Sequence, residues 1–172
     1  MATSPMLLSM AEYLRTSYQP DVDFVDGEIE ERHLGEFEHN TLQVAVGSFF
    51  WARRKEWNIH PVTEQRIQVA GNRVRIADVA VLRGDAPREK VIVTPPLVCV
   101  EILSPEDRLS RTKLVLADYL VMGVANIWLI DPIYRAAFTF DGAGLHEADP
   151  TQLRAAGTAI SLDLTEAFEA ID

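Results

Sequence analysis

Three charged residues stand at positions where apolar packing is expected. Leu97-Val98-Cys99-Val100-Glu101-Ile102-Leu103 lies between Pro95-Pro96 and Ser104-Pro105, and reads as a buried central strand because both of its faces are apolar and its flanks punctuate it. An ionised Glu101 there forfeits hydration worth on the order of several kcal/mol unless a cation, metal or donor set replaces the water. Period-two alternation in the run Val74 to Leu82 puts Val74, Ile76, Asp78, Ala80 and Leu82 on one face, so Asp78 is a second carboxylate on an apolar surface. In the run Leu109 to Met122, Leu109, Leu116 and Leu120 fall within about 20° of one helical direction and Lys113 only about 40° from it. The lysine is therefore expected to face the sheet, with Arg111 and Asp118 pointing away as surface charges.

Asp78 and Glu101 on adjacent strands, with Lys113 from the covering helix, would form a carboxylate pair with a cation at its edge. Two hard oxygen ligands with water completing the shell suit Mg²⁺ or Mn²⁺. Such an ion polarises a phosphoryl oxygen and lowers the pKa of a bound water, and the lysine can orient that water or stabilise developing charge. These are the parts that phosphodiester hydrolysis needs.

The elements that must position them follow from the chain order. Ser9-Met10-Ala11-Glu12 has the form of a capping box opening a short helix. Val22 to Glu30 contains two alternating runs joined by Asp26-Gly27, a tight-hairpin signal that belongs at an edge of the fold. From Glu36 to Trp57 there is no proline and one glycine, and Leu42, Val46, Phe49 and Phe50 supply the core face of a long helix; Arg53, Arg54 and Lys55 suit its C-terminal end. Val62–Val69 and Val74–Leu82 are expected to pair antiparallel across Ala70-Gly71-Asn72. Strand Leu97–Leu103, helix Leu109–Met122 stopped by Gly123, and strand Asn126–Asp131 make a βαβ unit with parallel pairing. Tyr134–Phe140 and Leu145–Glu147 read as an accessory hairpin, Thr158–Leu162 as one short strand, and Thr165–Ile171 as a last helix.

At 172 residues and 48% hydrophobic content the chain is expected to form one domain over residues 1–172. No apolar window is long enough for a membrane span, and Met1 to Met10 lacks the features of a signal peptide, so the expected compartment is the cytoplasm. The single cysteine, Cys99, excludes a disulfide framework within the chain and reads as a core residue. A net charge of −10 argues against coating nucleic acid or membrane by bulk electrostatics, while leaving room for a local groove or a metal-bridged contact. His33, His60 and His146 show no ligand-like spacing, and Asp131 before Pro132 is a turn former.

The order of several segments resembles the Uma-two family, a branch of the restriction-endonuclease-like PD-(D/E)-x-K superfamily. The matching pieces are Glu12-Tyr13-Leu14, Phe24-Val25-Asp26-Gly27-Glu28-Ile29, His39, Glu64, Ala77-Asp78-Val79, Val100-Glu101-Ile102-Leu103-Ser104-Pro105, Lys113 followed by Tyr119, and Gly123-Val124 leading to Trp128-Leu129-Ile130-Asp131-Pro132. The resemblance implies an α/β restriction-endonuclease-like fold, a central mixed sheet flanked by helices with accessory hairpins. It implies Asp78 and Glu101 as metal-binding residues, Glu64 as a further acidic contributor, Mg²⁺ or Mn²⁺ as cofactor, and DNA as the expected partner; a symmetric homodimer belongs instead to the alternative of a non-catalytic assembly module that retains the fold. Two positions depart from the pattern: Ala77 stands where a proline is expected, and Leu103 where a lysine is expected two residues after Glu101. Lys113 is the natural replacement for that lysine.

Two function classes compete. One is a metal-dependent deoxyribonuclease-like enzyme, which the set Asp78, Glu101 and Lys113 favours; the other is a catalytically silent binding or assembly module on the same fold, which the acidic net charge favours. A glycosidase with paired carboxylates has no use for a lysine beside its acid.

Overall fold

The computed structural model of the protein describes residues 7–33 and 35–172. The expectation drawn from Met1 to Met10 therefore lies largely outside the described residues. Helix α1 (Met10–Arg15) opens with the capping box: the Ser9 hydroxyl accepts from the Glu12 N–H, and the Ser9 N–H donates to the Glu12 carboxylate. The hairpin β1 (Asp23–Val25) and β2 (Glu28–Glu30) turns at Asp26 and Gly27, both with positive φ, as a two-residue Asp-Gly loop requires. Then follow α2 (Phe37–Arg53), β3 (Ile59–Ala70), β4 (Arg73–Arg83), β5 (Val98–Ile102), α3 (Leu109–Met122) and β6 (Asn126–Asp131). Gly123 ends α3 in the left-handed conformation at φ 100°, which glycine adopts without penalty. The chain closes with β7 (Ala136–Asp141), β8 (Gly144–Glu147), β9 (Gln152–Arg154), β10 (Ser161–Asp163) and α4 (Leu164–Glu169). The single short strand expected near residue 160 is β10, and its partner β9 carries too few alternating residues to be read from sequence.

The main sheet runs β2-β1-β4-β5-β6-β7-β8, with β3 along the other edge of β4. β5 and β6 pair in parallel around α3, as the βαβ reading expects, and the other pairings are antiparallel. One feature of β4 decides where a site can form. β1 pairs with Arg73 and Val74, and β5 pairs with Val79 to Val81, on the same edge of that strand. Between these contacts β1 and β5 diverge, and side chains stand in for the missing strand. Asp23 Oδ1 accepts the Ile76 N–H at 3.1 Å, and Asp78 Oδ2 accepts the Ile102 N–H at 2.7 Å. A sheet forced open in this way presents acceptors where backbone carbonyls would otherwise sit.

Two apolar clusters cover the two faces. Leu42, Val46 and Phe50 of α2 pack on Val79, Val81, Val98, Val100 and Trp128, with Phe168 of α4 closing the same side. Leu116 and Tyr119 of α3 pack on Ala77, Ala80, Leu82, Cys99 and Leu129. Cys99 is buried, and burial pushes its thiol well above the ordinary range.

Two placements differ from the sequence reading. Ala80 and Leu82 lie on the α3 side as one face of β4, but Asp78 meets His39 of α2 on the opposite side, with Val79 and Val81. The alternation breaks at Asp78. Opposite it, Glu64 holds a φ of 50°, in the left-handed region that a non-glycine residue rarely adopts within a strand. The second difference is the phase of α3. Its inward face runs through Thr112, Val115, Leu116 and Tyr119, a direction about 70° from that set by Leu109, Leu116 and Leu120. Lys113 and Leu109 are consequently exposed. Asp118, expected on the surface, is buried, because Arg75 Nε donates to it at 2.8 Å and Arg73 at 2.9 Å.

Candidate active site at the fork of the sheet

The fork between β1 and β5 opens into a cavity of about 350 Å³ lined by Arg32, His39, Gln43, Glu64, Asp78 and Glu101 among others. Each side chain arrives from a different element. Asp78 comes from the middle of β4, Glu101 from the penultimate position of β5 and Glu64 from β3. The register pairs Thr63 with Val79 and Gln65 with Ala77, which sets Glu64 directly across from Asp78. His39 and Gln43, one turn apart on α2, reach down from above. Arg32 follows β2 on the segment leading to α2.

Asp78 is almost fully buried and meets three donors. Oδ1 accepts from Arg32 Nη2 at 3.0 Å; Oδ2 accepts from the Ile102 N–H and lies 3.3 Å from His39 Nε2. Gln43 Nε2 donates both to the Asp78 main-chain oxygen at 3.0 Å and to Glu64 Oε1 at 2.7 Å. The second oxygen of Glu64 is held by Arg32 Nη1. Arg32 therefore bridges two carboxylates from neighbouring strands. Burial works against the charge of Arg32, but Glu64, Asp78 and Glu101 outweigh it and lift its pKa above the ordinary guanidinium value. His39 has the same balance. Burial disfavours its charge, and the hydrogen bond and negative charge of Asp78, with Asn40 and Glu64, more than compensate, so that its pKa ends above the ordinary imidazole value.

Glu101 has less support. Tyr119 Oη donates to Oε1 at 2.6 Å, and that is its one hydrogen bond among the described residues. Desolvation, reinforced by the charge on Asp78, pushes its carboxyl well above the usual range, against the pull of Tyr119 and Arg32. Tyr119 is itself pushed up by burial and by Glu101, so it stays a hydroxyl donor.

The structure thus brings Asp78, Glu101 and Glu64 to one cavity and does not bring Lys113. That lysine is exposed and is not among the cavity residues; the helical phase described above turns it outward. The cation at the carboxylates is Arg32. Sequence periodicity could not find it, because it lies in a short irregular segment with no facing strand or helix phase. Gln43 carried a usable signal in its four-residue spacing from His39, and Tyr119 in its place on the buried stripe of α3. His60 and His146 lie away from the cavity, whereas His33 lines it, with Nδ1 3.3 Å from Glu106; Asp131 accepts the N–H groups of Ile133 and Tyr134 as a turn former should.

Among the described residues no group of three or more His, Cys, Asp or Glu is arranged to enclose a metal ion. The donor set nevertheless fits a hard divalent cation that keeps most of its water. Glu64, Asp78 and Glu101 face a cavity that Asp21, Asp23 and Asp107 also line, against the guanidinium groups of Arg32 and Arg111, and Glu101, held by Tyr119 alone, is the least compensated of the three. Mg²⁺ and Mn²⁺ are commonly bound through one or two carboxylates plus water.

Comparison with known proteins agrees with this architecture. The crystal structure of a "putative nuclease belonging to DUF820" from Anabaena variabilis ATCC 29413 superposes with a TM-score of 0.84 at 20% identity, covering 96% of this chain and 99% of that one. At that identity the likeness establishes the fold. A DrdV–DNA complex matches with a TM-score of 0.40 and 13% identity, covering 75% of this chain and 10% of that one. No curated protein matches the chain. The family model Uma2, "Putative restriction endonuclease", matches residues 10–169, from the first residue of α1 to the last of α4. The chain belongs to the Uma2 family, and its mixed sheet and flanking helices have the restriction-endonuclease-like form.

Proposed function

We propose that the protein is a metal-dependent nuclease that hydrolyses DNA phosphodiester bonds. The observation that carries this reading is the convergence of Asp78, Glu101 and Glu64 with Arg32 on one cavity at the fork of the sheet. Asp78 and Glu101 would hold Mg²⁺ or Mn²⁺, with Glu64 as a further acidic contributor. The bound ion supplies Lewis acidity and a water of lowered pKa. Every other role falls to the chain. Arg32 places a forked cation among the carboxylates, where it can bind the non-bridging oxygens of a phosphodiester and offset the charge that develops there. Tyr119 fixes the orientation of Glu101, and His39 with the Ile102 N–H fixes that of Asp78. Lys113, exposed on α3, is assigned to the DNA backbone rather than to the reacting phosphate.

A second reading, a catalytically silent binding module, draws support from the ion pairs that Arg32 already makes with Asp78 and Glu64. Nicking of supercoiled DNA separates the two. The nuclease reading requires cleavage that depends on Mg²⁺ or Mn²⁺, stops with chelator, and is lost in Asp78→Ala and Glu101→Ala. Absence of cleavage in the wild type, together with no metal-dependent rise in Tm, favours the silent module.

A further inference from the structure

Helix α2 is apolar on two sides. Its inner face carries Leu42, Val46, Phe49 and Phe50 in the core, yet its outer face carries Phe37, Val44 and Trp51, which are 74%, 68% and 47% exposed. These three recur every seven residues and form one stripe along the whole helix. Between Glu38 and Arg53 the helix contains no Asp, Glu, Lys or Arg. A helix face that meets water normally carries such charges, and a helix that is apolar all round is normally covered. Beside the stripe, Val44, Gly47, Ser48 and Trp51 form with Pro61 and Thr63 of β3 a groove of about 560 Å³. Among the described residues β3 pairs on one edge only, apart from a single bridge between Ile67 and Ile92.

The Arg54 guanidinium lies 4.2 Å over the Trp51 ring and covers part of the stripe, and the charges at its two ends point to what covers the rest. Glu36 and Glu38 stand at the start of α2, and Arg54 and Lys55 just beyond its end. We infer that this face is the interface with a second copy of the same chain, packed two-fold with the α2 helices antiparallel. In that arrangement the acidic start of each helix meets the basic end of the other, and Phe37, Val44 and Trp51 cover one another between them. Two-fold interfaces are self-complementary in this way. The small residues Gly47 and Ser48, near the middle of the helix, let the two axes approach. Gln43, which donates to Glu64 and Asp78, also lines this groove, so the interface lies against the carboxylate site. The inference does not depend on nuclease activity.

The test is the mass of the full chain by sedimentation equilibrium over a wide concentration range, with three sets of variants. The wild type is expected at twice 19.2 kDa. Val44→Glu is expected to run as a monomer with an unchanged circular dichroism spectrum. Glu38→Lys and Lys55→Glu are each expected to weaken association roughly two- to fivefold, as surface ion pairs do, and the double variant to recover it. Val44→Cys in an otherwise unchanged chain is expected to form an intermolecular disulfide on oxidation, since the two-fold brings the two Val44 positions together and the native Cys99 is buried. Phe37→Cys should not, because antiparallel pairing sets the two positions about 20 Å apart along the helices. The disulfide readout stands even if Val44→Glu fails to fold. A wild type that is monomeric throughout, a dimer with no Val44→Cys cross-link, or a cross-link through Phe37→Cys overturns the inference.

Discussion

Arg32 Nη2 donates to Asp78 Oδ1 at 3.0 Å across 46 residues of sequence, while Nη1 of the same guanidinium holds Glu64. One loop residue thus ties the hairpin at the edge of the sheet to the two strands that carry the buried acids. A lysine has a single charged nitrogen and cannot span two carboxylates in this forked manner. Arg32→Lys is therefore expected to lower Tm even though it keeps the charge. Loss of one charge-assisted hydrogen bond, about 1.5–3 kcal/mol, is the scale to compare with thermal unfolding data.

Glu101→Gln is expected to stabilise the metal-free protein while removing metal binding. The folded-state pKa of Glu101 lies well above its ordinary value of 4.5, so the folded protein binds that proton more tightly than the unfolded chain does. Its contribution to stability is therefore present at low pH and is lost as pH rises from about 4.5 through the elevated value. Wild type and variant should have similar Tm near pH 4. At pH 8 the variant should melt higher, each kcal/mol being worth about 2–4 °C for a chain of this size. A variant that melts lower than wild type at pH 8 contradicts the assignment of Glu101 as an undercompensated carboxylate. Added Mg²⁺ should raise Tm in the wild type only.

Tyr119→Phe removes the one hydroxyl that holds Glu101, with little change in volume. The expected loss is about 1 kcal/mol of stability and about tenfold or more in Mg²⁺ affinity, the usual consequence of deleting a group that orients a ligand. Calorimetric titration of Mg²⁺ into the two proteins measures it.

Glu64 sits in a β-strand at a φ of 50°. Of two variants that both delete its carboxylate, Glu64→Gly should be more stable than Glu64→Ala by about 1 kcal/mol, because glycine adopts that conformation freely. Equal stability in urea unfolding would mean that the backbone there relaxes at no cost.

Away from the site, Arg75 is buried among Asp23, Asp118 and Glu30, with Nη1 at 3.0 Å from Asp23 and 2.7 Å from Glu30. Arg75→Ala strands two buried carboxylates and is expected to cost about 3–5 kcal/mol, the largest stability loss among these variants. Asp118→Asn, which keeps a hydrogen-bonding oxygen, should cost less.

The sequence discloses most of the scaffold through period and punctuation. The βαβ unit from Val98 to Asp131, the Asp26-Gly27 hairpin and the long α2 all stand where alternation, helical spacing and turn residues put them. Asp78 and Glu101 were legible for one physical reason: a carboxylate inside an apolar run needs compensation. The compensating groups were harder to read. Leu109, Leu116 and Leu120 suggested an inward direction for α3 that is rotated from the one the fold uses: Leu116 is buried as expected, but Tyr119 and Val115 share the inward face and Leu109 is left in solvent. Lys113 went outward with that rotation. Asp118 was hidden by the same error and by the fact that its partners, Arg73 and Arg75, come from a strand more than 40 residues away. Arg32 has no periodic context at all, and only the closed fork of the sheet brings it to the acids.

The most direct test of the proposed site is the rate of supercoiled-plasmid nicking in Mg²⁺ or Mn²⁺ by wild type, Asp78→Ala, Arg32→Ala and Lys113→Ala, each first confirmed as folded. Removal of a preorganised group that stabilises charge at the reacting phosphate costs about 10²–10³ in rate, so Arg32→Ala should fall by that factor and Asp78→Ala to background. Lys113→Ala should nick within a few-fold of wild type, with its deficit shrinking as salt is raised, because one phosphate contact fewer makes its binding less salt-dependent. Loss of nicking in Lys113→Ala with full activity in Arg32→Ala, or equal nicking by all four proteins, would contradict the account.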